Sequence, residues 1–184
     1  MHNTATTSTH RIATPHGTLH AQCWQPANLM PNAIPILLLH DSLGCVALWR
    51  AFPALLSAQT GLPVIAYDRL GFGQSDARDD RLALDFIATE ATEYFPLLQS
   101  HFGFSRCIVM GHSVGGGMAV HCAARHPESC AALITESAQA FVEDRTRDGI
   151  VLAREQFRQP DAMQRLARYH GDKAKWVVDA WTET

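Results

Sequence analysis

Short apolar runs alternate along most of this chain with longer segments that repeat apolar side chains every three or four positions. Continuous runs of four or five apolar residues are typical of strands buried on both faces of a parallel sheet. The runs that predict such strands lie at residues 36–40, 63–67, 106–110 and 131–135. Two further strands, at residues 11–14 and 19–24, flank a turn and predict an N-terminal hairpin.

The segments between the central runs have helical spacing. They predict helices over residues 47–60, 85–101 and 114–126. Gly61 follows the first helix as a stop signal, and Pro96 is expected to kink the second. Strands that alternate with helices in this way are typical of a doubly wound, mostly parallel α/β sheet, which places its chemistry at the carboxyl ends of the strands.

The C-terminal part of the chain has no strand pattern. It predicts helices over residues 148–158, 161–169 and 172–181. We therefore divide the chain into a core, residues 1–141, and a helical lid or cap segment, residues 142–184. One interpretation is solvated helices beside the sheet, and the other is a lid whose apolar side chains wall a cleft. The candidate wall residues are Ile150, Trp176, Val177 and Trp181.

Composition narrows the class of protein. The 184 residues are 47% hydrophobic and 18% charged, which suits one compact unit. The net charge of −3 provides no basic stripe for nucleic acid and no polybasic face for a membrane, so neither partner is predicted. The polar start lacks a secretory pattern, and no apolar run reaches the roughly 18 residues of a membrane span, so a cytoplasmic location is expected.

The potential metal ligands are scattered. Five cysteines have no paired spacing, which suits reduced, buried thiols. Ten histidines are dispersed and lack the spacing of a zinc site. No metal is therefore predicted.

A serine in the middle of the chain carries the strongest chemical signal. An apolar strand leads into Gly111-His112-Ser113-Val114-Gly115, and a helix of small residues follows. A serine on such a strand-to-helix turn has strained backbone angles, and glycines flank it because a Cβ there would clash with the neighbouring strand or helix. The turn places the Val114 N–H at a helix N-terminus, which favours an oxyanion. The alternative is a Gly-rich turn that only packs a helix closely on a sheet.

Three stretches together resemble the α/β-hydrolase family. They are His40-Asp41-Ser42-Leu43-Gly44 after the first central strand, the Asp-Arg-Leu-Gly-Phe-Gly-Gln-Ser-Asp loop at residues 68–76, and the serine turn at residues 111–115. The resemblance covers residues 11–141. It implies Ser113 as nucleophile, with the backbone N–H groups of Ser42 and Val114 as the oxyanion hole.

Two features of these stretches need separate interpretation. Asp41 stands where the family commonly has glycine, and its carboxylate lies near the expected anion. The loop at residues 68–76 is similar to part of a phosphate-binding turn but lacks the lysine that follows such a turn, so we interpret it as structural.

A nucleophilic serine needs a base and an acid, which this family places later in the chain. Glu136, after the last strand, is the candidate acid; the alternative is a residue that caps the strand end. No histidine fits the base, since His112 is expected to point into the fold and His170 lies in a predicted helix, within reach of Ser113 only if the lid folds over it. We therefore expect the sheet to be truncated after its sixth strand and the chain to be incomplete.

These observations predict a serine hydrolase that cleaves a small-molecule ester, thioester or related acyl bond through an acyl-enzyme on Ser113, without a cofactor. The alternative is a catalytically silent binding module that keeps the pocket. The strand at residues 131–135 would be an apolar sheet edge, which missing chain or a second copy in a homo-oligomer would cover.

Overall fold

Six strands form one sheet in the computed structural model, which describes residues 5–138 and 141–183. The strands are β1 (Thr6–Thr14), β2 (Gly17–Gln25), β3 (Ile36–Leu39), β4 (Val64–Tyr67), β5 (Cys107–His112) and β6 (Cys130–Glu136). Their order across the sheet is β1-β2-β4-β3-β5-β6. The first two strands form an antiparallel hairpin, β2 pairs antiparallel with β4, and β4, β3, β5 and β6 are parallel. The predicted mostly parallel α/β sheet is confirmed.

Helices connect the strands and cover both faces of the sheet, and three more follow the last strand. They are α1 (Phe52–Thr60), α2 (Phe86–Thr89), α3 (Phe95–Phe102), α4 (Val114–Arg125), α5 (Asp144–Phe157), α6 (Pro160–His170) and α7 (Ala174–Thr182). Helix α1 packs against β2 and β4 on one face, while α4 packs against β5 and β6. Side chains alternate between the two cores, so Leu37 and Leu39 pack on one face and Ile36 and Leu38 on the other. Within the described residues, no helix has the length and apolar character needed to cross a membrane.

Several elements differ from their predicted form. Strand β1 begins at Thr6, earlier than predicted, because an edge strand is held by its backbone pairing with β2 and needs no apolar pattern. The helix predicted over residues 47–60 is divided at Arg50, whose φ of 52° ends a 3₁₀ turn before α1. The expected kink at Pro96 takes the form of a π-helical turn, Glu90–Tyr94, just before the proline, which lacks an N–H and crowds the preceding turn.

The C-terminal helices pack around the loop that follows β4. Helix α5 starts at Asp144, four residues before the predicted helix. Phe72, from the loop, is buried in a third hydrophobic cluster with Leu166, Val177 and Val178 from the last two helices. The cap segment is therefore anchored above the carboxyl ends of the strands. Its predicted boundary after residue 141 stays a prediction.

Strand β6 forms the far edge of the sheet, opposite β1. Its apolar side chains are only partly covered, since Leu133 is 42% exposed and Ile134 is 43% exposed. The predicted apolar edge is thus present in the structure.

Candidate active site

Ser113 lies on the sharp turn between β5 and α4, with φ 54° and ψ −123°. Positive φ is strained for a residue with a side chain. The flanking glycines explain how the turn is tolerated: a Cβ on Gly111 would lie 2.0 Å from the Gly115 carbonyl oxygen, and one on Gly115 would lie 2.2 Å from the Leu39 carbonyl oxygen. The predicted steric need for both glycines is confirmed.

The backbone of Ser113 is tied to the edge strand. Its N–H donates to the Glu136 carbonyl at 2.9 Å, and its side chain is half-buried. Across residues 5–138 and 141–183, the Ser113 hydroxyl has no hydrogen-bond partner. No described residue is therefore placed to act as a base that takes the proton of this hydroxyl.

Ser42 and Val114 line the same cavity, which has a volume of about 290 Å³. Val114 is the first residue of α4, where backbone N–H groups have no acceptor inside the helix. Among the described residues, neither the Ser42 N–H nor the Val114 N–H has a hydrogen-bond acceptor. Two free donors at one cavity, with a helix N-terminus behind one of them, can hold a developing oxyanion.

The cap contributes part of the cavity wall. Of the four candidate wall residues, Ile150 and Trp181 line the cavity, together with Phe72. Val177 is fully buried in the cap core, and Trp176 packs edge-on against Phe72 at a centroid distance of 5.6 Å, so neither lines this cavity. Their apolar character serves the attachment of α7 to the loop.

The Asp41 carboxylate has partners of its own. Its Oδ1 accepts the Leu43 N–H at 2.9 Å, and its Oδ2 lies 3.4 Å from His112 Nδ1. Each oxygen thus faces a group other than the free Ser42 N–H. This engagement explains how the loop accommodates an aspartate where the resemblance implies glycine.

His40, at the start of the same loop, is buried and neutral. Its Nδ1 donates to the Asp41 carbonyl at 2.8 Å, and its Nε2 accepts the Arg69 backbone N–H at 3.1 Å. Burial, together with the Arg69 guanidinium, lowers the pKa of His40 to about 3. The ring therefore acts as a fixed hydrogen-bonding group at neutral pH.

The expectation that His112 points into the fold is wrong. Its side chain is 37% exposed, and its Nε2 lies 2.9 Å from Glu136 Oε2. His112 shares a strand face with Ile108 and Met110, which are also only half-buried, because α1 packs against β2 and β4 on that face. Glu136 contacts His112 and accepts the Ser137 hydroxyl, and among the described residues its carboxylate has no bond to Ser113.

His170 has both ring nitrogens occupied. Its Nδ1 accepts the Gly73 N–H and its Nε2 donates to the Leu43 carbonyl, each at 2.9 Å. Burial lowers the pKa of His170. This histidine therefore connects the cap to both loops and does not act on Ser113. Lys173 completes the connection by donating to the carbonyls of Phe72, Gly73 and Ser75, a role that sequence reasoning missed.

The loop after β4 folds around one carboxylate. Asp68 is buried and accepts the Val46 N–H at 2.6 Å, the Gln74 N–H at 2.7 Å and the His20 ring at 2.9 Å. Burial alone raises the pKa of Asp68, but these bonds outweigh it and lower the pKa. Gly73, at φ 48°, leaves no room for a Cβ, which would lie 2.2 Å from the Asp68 carboxyl group. The loop thus encloses a protein carboxylate, as its structural interpretation predicts.

Comparisons with known proteins point to one family. A model of the alpha/beta hydrolase fold matches residues 34–181. The 1-acylglycerol-3-phosphate O-acyltransferase ABHD5 of Sus scrofa is 30% identical over 112 residues, which cover 61% of this chain and 32% of that protein. A putative non-heme haloperoxidase of Mycobacterium phage D29 is 32% identical over 111 residues, 59% of this chain and 37% of that protein. The match thus extends over about a third of each relative's length.

Solved structures share the fold at lower identity. Proline iminopeptidase of Mycobacterium smegmatis superposes with a TM-score of 0.65 at 24% identity, covering 96% of this chain and 67% of that one. Carboxylesterase CesB of Bacillus subtilis superposes with a TM-score of 0.57 at 19% identity, covering 79% of this chain and 49% of that one. At these identities the likeness concerns the fold.

Proposed function

Because the chain belongs to the α/β-hydrolase fold family, we propose that Ser113 is the nucleophile of a serine hydrolase that cleaves an ester, thioester or related acyl bond. The observation that carries this proposal is the pair of free N–H groups, on Ser42 and Val114, at one cavity beside a strained serine. Such donors stabilise the transition state of acyl transfer more than the bound substrate, since the negative charge develops only there.

In the proposed reaction, the Ser113 oxygen attacks the acyl carbon and the carbonyl oxygen becomes an oxyanion. The N–H groups of Ser42 and Val114 donate to that oxyanion. Collapse of the tetrahedral intermediate expels the alcohol or thiol and leaves an acyl-enzyme, which water then hydrolyses. No step needs a cofactor.

A base must take the proton of the Ser113 hydroxyl. We propose that this base is not among the described residues and belongs to a longer protein. Glu136 stays our candidate for the acid that orients this base. The hydrogen bond from the Ser113 N–H to the Glu136 backbone carbonyl places this residue beside the serine. The curated relatives are about three times as long as their matched segments. We therefore propose the hydrolase activity for a longer protein that contains this chain together with the base.

The cavity favours a small acyl substrate. Its volume of about 290 Å³ and its largely apolar lining, which includes Phe86, Ile150 and Trp181, suit a short acyl chain. The names of similar proteins include carboxylesterases and an acyltransferase, which supports acyl chemistry as the reaction class.

A fluorophosphonate probe that reacts with activated serines tests the assignment. We expect labelling, with the modified peptide containing Ser113, in a longer protein that includes the proposed base, and loss of labelling in its Ser113→Ala variant. Ser42→Ala is the matched control: it removes the hydroxyl of a serine that lines the cavity but keeps the backbone N–H, so labelling should persist. Labelling that survives in Ser113→Ala, or that disappears in Ser42→Ala alone, would contradict the assignment.

The second candidate is a binding module that keeps the cavity without catalysis. The observation that favours it is the Ser113 hydroxyl, which has no partner among the described residues. Without a base, a triad serine loses on the order of 10⁴ to 10⁶ in rate. Absence of labelling in the longer protein, combined with measurable binding of butyrate to both the wild type and Ser113→Ala, would favour this candidate.

A further inference from the structure

We propose that Arg69 is a positioning residue for the oxyanion hole: its guanidinium holds and polarises the peptide group that joins Asp41 to Ser42. The inference rests on the proposed function, in which the Ser42 N–H stabilises the oxyanion. It adds a residue that acts through this peptide, in addition to lining the cavity with its own side chain.

The Asp41 carbonyl is the centre of the arrangement. It accepts Arg69 Nη2 at 2.8 Å, His40 Nδ1 at 2.8 Å and the Gly44 N–H at 3.2 Å. Three donors on one carbonyl oxygen leave its peptide plane little freedom to rotate. The charged donor among them forms the strongest of these bonds.

The same peptide unit contains the Ser42 N–H. In a trans peptide the C=O and N–H bonds point in opposite directions, and the described residues contain no cis peptide bond. Fixing the Asp41 carbonyl toward Arg69 therefore fixes the direction of the Ser42 N–H as well, and Ser42 and Arg69 both line the cavity. A cation bound to the carbonyl also polarises the amide and strengthens its N–H as a donor.

Arg69 is itself held firmly in place. Its side chain is buried, and its guanidinium carbon lies 4.2 Å from the centroid of the Phe72 ring. Its backbone N–H donates to His40 Nε2, which keeps the proton of that ring on the nitrogen facing Asp41. Burial lowers the pKa of Arg69, whereas the Glu90 carboxyl group raises it and favours the charged form.

Val114 provides an internal reference. Its N–H is oriented by the turn at Ser113 and the start of α4, and Arg69 makes no hydrogen bond to that turn. Loss of Arg69 should therefore affect the Ser42 donor and leave the Val114 donor in place. A general loss of folding would affect both.

The test is a titration of the ¹⁵N-labelled full chain with butyrate, a carboxylate that mimics the acyl product. In the wild type, we expect the amide resonances of Ser42 and Val114 to shift together on binding. In Arg69→Gln we expect butyrate to bind about tenfold more weakly, with the limiting shift at Ser42 largely lost and that at Val114 retained. Arg69→Lys, which keeps the charge but not the planar donor group, should lie between them.

Arg78→Gln is the matched control, because Arg78 is a second guanidinium of the neighbouring loop that pairs with Asp80. It should bind butyrate like the wild type. An unchanged affinity and Ser42 shift in Arg69→Gln would overturn the inference, as would a wild-type Ser42 amide that does not respond to butyrate at about 100 mM. If Arg69→Gln does not fold, the same readings are taken on Arg69→Lys. Failure of the proposed function is seen separately, in the labelling of Ser113.

Discussion

The turn at residues 111–115 and the loop at residues 68–76 border the same cavity, but different interactions hold them. At the turn, glycine backbone touches the backbone of neighbouring elements, as Gly115 does at the Leu39 carbonyl. In the loop, side chains from distant parts of the chain form hydrogen bonds, as His20 does with Asp68. The turn depends on the absence of side-chain atoms, whereas the loop depends on charge and proton position. Added volume should therefore damage the first, and lost charge the second.

The largest effect is expected from Gly115→Ala. The new methyl group would meet the Leu39 carbonyl oxygen, which belongs to a central strand and cannot move aside. We expect the free energy of unfolding in urea to fall by about 3 kcal/mol. Gly149→Ala is the control, because nothing lies within 4 Å of a Cβ there and the site is inside α5. It should stabilise by up to about 1 kcal/mol. Equal losses of unfolding free energy in the two variants would show that close backbone contact at Gly115 does not stabilise the turn.

A smaller effect is expected from Asp68→Asn. The substitution keeps the shape but removes the charge and turns one of the two oxygens that accept from Val46, Gln74 and His20 into an NH₂ donor. We expect a loss of about 2 kcal/mol in the same urea experiment. Asp76→Asn changes a half-exposed carboxylate that accepts bonds from the Arg11 guanidinium and the Thr18 N–H, and it should cost less than about 1 kcal/mol. If Asp68→Asn lost no more unfolding free energy than Asp76→Asn, the charge of Asp68 would not be what stabilises the loop.

The pH dependence of stability reports on two buried histidines that form hydrogen bonds to the loop after β4. Burial lowers the pKa of His40 and His170 in the folded protein, so below pH 6.5 the unfolded chain takes up protons that the folded chain does not. Stability should therefore fall as the pH is lowered from about 6.5, by up to about 1.4 kcal/mol per pH unit for each histidine. The raised pKa of Glu90, caused by burial, gives the opposite slope near its own titration.

His170→Gln isolates one histidine from that sum. Urea unfolding from pH 6.5 to 4.5 should show a shallower loss of stability in this variant than in the wild type. His121→Gln, on the exposed face of α4, should keep the wild-type slope. Equal slopes of unfolding free energy against pH in all three proteins would show that His170 does not contribute to the pH dependence of stability.

The contrast also explains which features the sequence could predict. The turn at Ser113 is encoded within five consecutive residues, so its sterics are visible in the pattern Gly111-His112-Ser113-Val114-Gly115. The sheet follows from runs of apolar residues for the same reason. The contacts of His170 and Lys173 with the loop join residues about 100 positions apart, and no local pattern indicates such a pairing.

The orientation of His112 could not be predicted for a related reason. Alternation along β5 shows only that His112 lies on one of two faces, and which face is better covered depends on where the helices pack. Arg69 was likewise overlooked because its partner is a backbone carbonyl, which has no signature in the sequence. Patterns of side chains predict the scaffold more readily than they predict hydrogen bonds to the backbone.

The hydrogen bond from the Ser113 amide to the Glu136 carbonyl makes the serine a reporter on the outermost strand. Amide hydrogens exchange with solvent deuterium only when their hydrogen bonds open, and edge strands open more readily than central ones. The exchange rate at this single amide therefore measures how often β6 separates from β5 at its carboxyl end. Any interaction that holds or loosens β6 is therefore registered at the Ser113 amide.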